Sequence, residues 1–244
     1  MTEDIDAVLK GWDYKSGLVQ ARLVQARDGR QVIQMRVDLG ILQIETTGRP
    51  DGARPHGCAS YFEYLRRQKQ QANKAGRAFA LTEEQCEEAD REFVQYYHRR
   101  VSWLALRAYD RAVADADHTL AFMDFVRDHS PNEDYTQAHE QYRAFVLFQR
   151  TQAAAAQAAA KNDPERAIDE ISAGIKTLEA IFAAHELSEE IEKNGMIRHL
   201  HKMVQSLRQL HGIDATLQER LAQAVANEQY ETAAQLRDAL RRRQ

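Results

Sequence analysis

The residues that interrupt regular backbone are crowded into one end of this chain. Only four prolines and eleven glycines occur in 244 residues, and most of them fall before residue 60. Gly and Pro are the residues that cost a helix interior most, so little beyond that point forbids helix. The chain should therefore pair a turn-rich first quarter with a long, mainly α remainder. Its length suits one large domain or two small ones, and 43% hydrophobic residues suffice for a core. A formal net charge of -4 gives no general attraction to nucleic acid. Cys58 and Cys86 lie far apart and form neither a disulfide framework nor a Cys-x-x-Cys metal pair, which fits a reducing cytoplasm. The acidic start, MTEDIDAVLKGWDY, lacks the apolar run of a signal peptide. No later stretch is long and apolar enough to span a membrane.

Residues 1–17 read as a leader with a short helix around Ile5–Leu9, and residues 18–45 as a two-stranded β-ribbon turning at Asp28-Gly29. Ile33, Met35, Val37, Leu39 and Ile41 alternate and are expected to form its buried face, with Gln34, Arg36, Asp38, Gln43 and Glu45 on the wet one. After Gly40 the phase shifts to Leu42 and Ile44, which suggests a bulge or bend. The loop TTGRPDGARPHG at 46–57 follows. Its Arg49 and Arg54 sit near turn amides that can hold an anion, although a structural loop with Arg49 pairing Asp51 is the commoner outcome.

Beyond it the helix starts are legible. Ser60 with Glu63 and Thr82 with Gln85 are capping boxes. A polar, flexible stretch is expected at 66–78 between them, and Phe93, Tyr97, Val101, Leu104 and Ala105 along the buried side of the second helix. A further helix should run from Tyr109 to near His129, and Ser130-Pro131-Asn132-Glu133 should start another with Pro in its first position. An Ala-rich segment precedes a start at Asp163-Pro164, and residues 189–211 carry an amphipathic stripe of Ile197, Leu200, Val204, Leu207 and Leu210. Tyr109-Asp110-Arg111-Ala112-Val113 with Leu120 echoes Pro164-Glu165-Arg166-Ala167-Ile168 with Ile175. The spacing is wrong for a regular 34-residue array, so TPR-like helical pairs and a plain helical bundle both remain open.

The last segment is the most specific. Leu217, Leu221 and Val225, with Ala224 beside them, form one apolar stripe, with Asp214 as the expected cap. Asn227-Glu228-Gln229 breaks the pattern, and Tyr230, Ala233, Leu236, Arg237 and Leu240 form a second stripe. Paired alanines allow close approach, so an antiparallel hairpin follows. Leu217, Leu221, Ala224, Glu228, Tyr230, Glu231, Ala233, Ala234, Leu236, Arg237, Asp238 and Leu240 make residues 213–242 resemble the UVR motif of the repair proteins UvrB and UvrC. Tyr230 stands where that family more often has Phe. The resemblance implies that these residues dock on another protein and perform no chemistry. The tract RVDLGILQIETTGRPDG at 36–52 extends a similarity to bacterial UvrB/UvrC motif-containing proteins, which implies an architecture but names no reaction.

No cofactor or catalytic set is expected. His199 and His201 point apart on a helix, and His56 and Cys58 have no second pair. McsA-type UVR proteins carry zinc-binding cysteine pairs that this chain lacks, so no metal site is expected. Neither a phosphate loop nor a nucleophile elbow occurs. Arg241-Arg242-Arg243 could touch phosphates, although complementing the negative end of the last helix is the commoner role of such a run. The expected protein is a mainly α, cytoplasmic, non-enzymatic adaptor. Its divisions are a β-ribbon and loop at 1–58, a helical body at 59–212 and a UVR hairpin at 213–244. Its partner would be a UvrB/UvrC-like protein, a Clp-type ATPase or a second copy. The alternative is a repair factor that touches DNA through Arg49, Arg54 and the basic segment Arg66–Arg77.

Overall fold

A computed structural model describes residues 4–184 and 193–243. The chain forms two compact units, Met1–Val146 and Leu147–Gln244; the boundaries expected at 58/59 and 212/213 fall inside them. The first unit contains α1 (Asp6–Leu9), β1 (Gln20–Gln25), β2 (Gln31–Val37), β3 (Gly40–Glu45), a 3-10 turn at Pro55–Gly57, then α2 (Tyr61–Lys74), α3 (Glu83–Ala105), α4 (Tyr109–His129) and α5 (Glu133–Glu140). Helix α6 (Arg143–Ala160) leads into the second unit, which holds α7 (Pro164–Ala184), α8 (Gly195–His211), α9 (Leu217–Ala226) and α10 (Tyr230–Arg243). Of the helix expected over 189–211, residues 189–192 lie outside the described residues.

The β segment has three strands in the order β1-β2-β3, all antiparallel. The phase shift at Gly40 marks a second hairpin: Val37 pairs with Gly40 around Asp38-Leu39. A two-residue loop returns the chain so that paired residues share a face. Leu23, Ile33 and Ile44 are therefore aligned, while Ile41 stands opposite Arg36 on the other side. Leu39, expected in the core, is the tip of the turn and 91% exposed. The expected wet face is partly covered. Arg22 bonds Gln34 Oε1 through Nε and Nη2, at 3.0 and 2.8 Å, and reaches Val8 O at 3.1 Å. Its guanidinium lies 4.0 Å from the Trp12 ring centroid, and Arg36 Nε donates to Trp12 O at 3.0 Å. The leader is thus fastened across that face.

Helix α2 starts at the expected cap, with Ser60 Oγ accepting from Glu63 N–H, but the expected box is not closed, because the Glu63 carboxylate accepts from Ala59 N–H instead of Ser60 N–H. It then continues through Lys74, where a flexible stretch was expected, because Arg, Gln, Lys and Ala are good helix formers and Leu65 and Ala72 are buried. It ends at Gly76, φ +64, in a Schellman pattern with Arg77 N–H on Ala72 O. Asn132, with Pro131 outside the helix, caps α5 through Oδ1 on Tyr135 N–H.

The buried side of α3 differs from the apolar stripe expected of it. Tyr97 and Ala105 are exposed, whereas Glu92, Arg99 and Arg100 face inward with Cys86, Ala89, Tyr96, Val101 and Trp103. Glu92 accepts from Tyr61 N–H at 2.5 Å and Phe62 N–H at 3.1 Å, at the start of α2. His118 Nε2 lies 3.2 Å from it, and Tyr96 stacks on that imidazole at 3.8 Å. Arg99 grips Asp115 in α4 with two bonds, 2.9 and 2.7 Å, and donates to Gly48 O at 2.7 Å. Against this polar seam lies an aromatic core, with Phe122 stacked between Phe62 and Phe93 at 4.8 and 4.6 Å.

Two buried imidazole nitrogens in this unit, His98 Nδ1 and His129 Nε2, make no hydrogen bond, and a third ring, His139, has Nε2 3.0 Å from the Asp90 carboxylate. Burial holds all three rings below the usual histidine range. The folded state therefore favours neutral rings, while the unfolded chain takes up protons below about 6.5. The stability they contribute is present above that pH and is lost as pH falls through the depressed folded values. Urea midpoints should fall between pH 7.5 and 5.5, and His129→Phe, which keeps the edge contacts to Phe79 and Phe125, should flatten the decline. Identical slopes would show that His129 does not contribute.

In the second unit small residues set the helix spacing. Ala153, Ala154, Ala155 and Ala158 of α6 are buried, and a Cβ built on Gly174 in α7 would lie 2.2 Å from Thr151 Oγ1. Gly174→Ala should lower the unfolding free energy by about 1–3 kcal/mol, and adding Thr151→Ala should restore only part of it, because the Cβ that remains at 151 would still lie 2.8 Å away. A neutral single variant in denaturant titration would show that the helices separate freely.

Candidate functional site

The C-terminal hairpin is built from both ends. Thr216, and not Asp214, caps α9: its Oγ accepts from Glu219 N–H at 3.2 Å, and Glu219 accepts from Thr216 N–H at 2.9 Å. The Thr216-x-x-Glu219 spacing is itself a capping box and was readable in the sequence. At the far end Glu228 takes φ +57. Gln229 N–H reaches Ala224 O at 2.8 Å and Glu228 N–H reaches Val225 O at 3.0 Å, the paired bonds of a Schellman C-terminus. Ala224, Ala233 and Leu236 form the seam, with Leu217 and Leu221 against it. Val225, placed on the stripe from sequence, instead faces out, because the buried line runs one residue earlier, through Ala224.

The root is tied down within its own unit. Thr216 Oγ1 donates to Asp169 Oδ1 at 2.6 Å and Leu217 N–H to Glu165 Oε2 at 3.1 Å, both on α7. Arg208 of α8 pairs with Glu219 at 2.5 Å and bonds Asp214 O at 2.5 Å. Desolvation lifts the Asp169 carboxyl above its usual range against the opposing Thr216 bond. Desolvation acts the same way on Glu219, but the Arg208 bond and the Thr216 N–H outweigh it and leave that group lowered.

The twelve sequence-selected residues therefore divide into two sets. Leu217, Leu221, Ala224, Ala233 and Leu236 hold the hairpin together; Ala234 and Leu240 are half-buried. Glu228, Tyr230, Glu231, Arg237 and Asp238 are exposed, and Tyr230 has 69% of its surface in solvent. Residues 215–242 match the profile of the UvrB/uvrC motif. The chain carries a UVR motif. No curated protein and no solved structure matches the chain.

The loop at 46–57 contributes differently. Arg49 is buried, with Nη1 2.5 Å from Glu88 and Nε 3.3 Å from Asp51 and 3.1 Å from Gln95 Oε1. Its charge is met by carboxylates of its own unit. Arg54 is exposed and, with Arg30, Glu45 and Asp51, lines an open polar cavity of about 620 Å³. In the basic segment, Arg67 pairs with Glu63 along α2. Among the described residues no group of three or more His, Cys, Asp or Glu is placed to hold a metal ion.

A left-handed conformation costs a side-chain-bearing residue roughly 1–2 kcal/mol that glycine does not incur. Glu228→Gly should therefore stabilise the hairpin by up to about 1 kcal/mol, read by amide exchange of α9 and α10. Destabilisation instead would reveal a stabilising contact of the Glu228 side chain.

Proposed function

We propose that the protein is a non-enzymatic adaptor that docks on a protein partner through the tip of its UVR hairpin. The observation that carries this reading is the division of the motif: its apolar residues are consumed by the seam, while the Tyr230 ring and the side chains of Glu228 and Glu231 on either side of it stand in solvent. An exposed aromatic beside charged residues is the usual composition of an interface anchor and its rim. Partners by resemblance are a UvrB/UvrC-type protein, a Clp-type ATPase or a second UVR-bearing chain, in the cytoplasm.

The test is titration of the full chain against a purified UVR-bearing partner. Tyr230→Ala should weaken binding at least about tenfold, equivalent to about 1.4 kcal/mol, with helical circular dichroism unchanged. Leu236 is unsuitable for this purpose, since a charge in the seam would open the hairpin. Neutralising Arg241 and Arg242 should matter far less, because exposed charges make screened contacts. The opposite ranking, with the arginines dominant and Tyr230 silent, would favour an anionic ligand and overturn protein docking.

A further inference from the structure

The sheet of the first unit has two edges, and they are finished differently. At the β3 edge Glu45 N–H donates to Pro50 O at 2.8 Å, so the loop at 46–57 folds back over its end. The β1 edge has no such cover. Ala26 N–H donates to Arg30 O at 2.8 Å across the first hairpin, and bonded and unbonded pairs alternate from there along the antiparallel ladder. Gln20, Arg22 and Val24 therefore exchange bonds with Arg36, Gln34 and Val32 of β2. Ala21, Leu23 and Gln25 turn their N–H and C=O groups the other way. Among the described residues no backbone or side-chain group meets them.

Sheet edges are normally guarded by proline, lysine, a bulge or an inward-pointing charge. Strand β1 has none of these guards. Its register with β2 runs unbroken from Gln20 on Arg36 to Gln25 on Gln31. The stretch from Leu18 to Ala26 reads LVQARLVQA, without proline, glycine, lysine or an acid. Its one charge, Arg22, is drawn onto Gln34 and Trp12 on one face of the sheet. Leu23 points to the opposite face and is 42% exposed, and Val19, one residue before the strand begins, is 43% exposed.

An open row of backbone donors and acceptors takes one kind of occupant, an extended chain, and β1 of a second copy supplies one. Two copies related by a dyad close both open edges in a single contact. Charge and side-chain pairing select the register. A dyad at Arg22 would set two guanidinium groups directly opposite, which is destabilising. A dyad at Leu23 would set Val19 against Arg27. A dyad at Ala21 sets Val19 of each copy against Leu23 of the other and Gln20 against Arg22, so both exposed apolar side chains are matched and no like charges meet. We propose that the protein self-associates through β1, antiparallel about a dyad at Ala21. The contact joins two three-stranded sheets into one continuous sheet at the upper end of the common range, roughly four to six strands. It belongs to the first unit alone and does not rest on the hairpin.

Sedimentation equilibrium of the full chain tests the assignment. One strand pair is a small interface, so a reversible monomer–dimer transition should fall between about 1 and 200 µM. Leu23→Pro removes an N–H that faces solvent in the monomer, a position where an edge strand tolerates proline. It should weaken dimerisation at least about tenfold with the circular dichroism spectrum unchanged. Should that variant fail to fold, exchanged charges decide. Leu23→Glu and Val19→Lys should each weaken the dimer, and the double variant, in which each new acid meets the new amine of the other copy, should regain most of the affinity. Tyr230→Ala should leave the transition where it is, which separates this contact from docking through the hairpin. A chain still monomeric at the highest concentration would leave the edge to a foreign strand and overturn the proposal. So would a dimer indifferent to the β1 substitutions, a dimer lost with Tyr230→Ala, or a double variant no stronger than its parents.

Discussion

One buried carboxylate organises the first unit. Glu92 is fully enclosed, and an ion so placed is tolerable only if its oxygens are occupied. They take the N–H groups of Tyr61 and Phe62, so α2 is capped by a residue about thirty positions further along the chain. An acid at a helix N-terminus also meets the positive end of the helix dipole. His118 of α4 and Arg49 of the loop complete its surroundings. Four segments thus converge on a single side chain, and α3 must present that side inward whatever its apolar periodicity prefers. The Arg99–Asp115 pair a little further along α3 adds the end of β3 and the loop through the carbonyls of Glu45 and Gly48. Apolar burial supplies the bulk of the driving force, while these polar groups fix which faces meet.

That arrangement explains which parts of the fold could be read in the sequence. Local chemistry was legible: Ser60, Thr82 and Asp163 mark helix starts, and Gly212 with φ +63 closes α8. Of the seam, Ala233 and Leu236 lay on the expected stripe, and Ala224 stood beside it. The buried face of α3 was not legible, because a rule that sends apolar residues inward has no place for Glu92, Arg99 and Arg100. The shift at Gly40 was noticed but assigned to a bulge, since a turn of Asp38-Leu39 carries no glycine at its centre. Leu210 completes a helical stripe on paper yet is exposed at the end of α8.

The candidate site was legible in a different sense. Residue types and spacing located the hairpin, but spacing alone cannot separate side chains that hold two helices together from side chains that face outward. Ala224 and Val225 show the difficulty: neighbours in sequence, one sealed in the seam and the other in water. Thr216 was missed for another reason. Its hydroxyl serves α9 as cap and α7 as donor to Asp169, and only the first role leaves a local trace.

The attachment at Thr216 has a mechanical side. Helix α9 is ten residues long, so the hairpin tip stands roughly 15 Å from its root. The root is held to α7 by one hydroxyl bond and one amide bond. Whatever grips Tyr230 works on the long arm of a lever whose fulcrum is a threonine. A pull at the tip is felt first at Asp169 and Glu165, on the same helix that Gly174 seats tightly against α6.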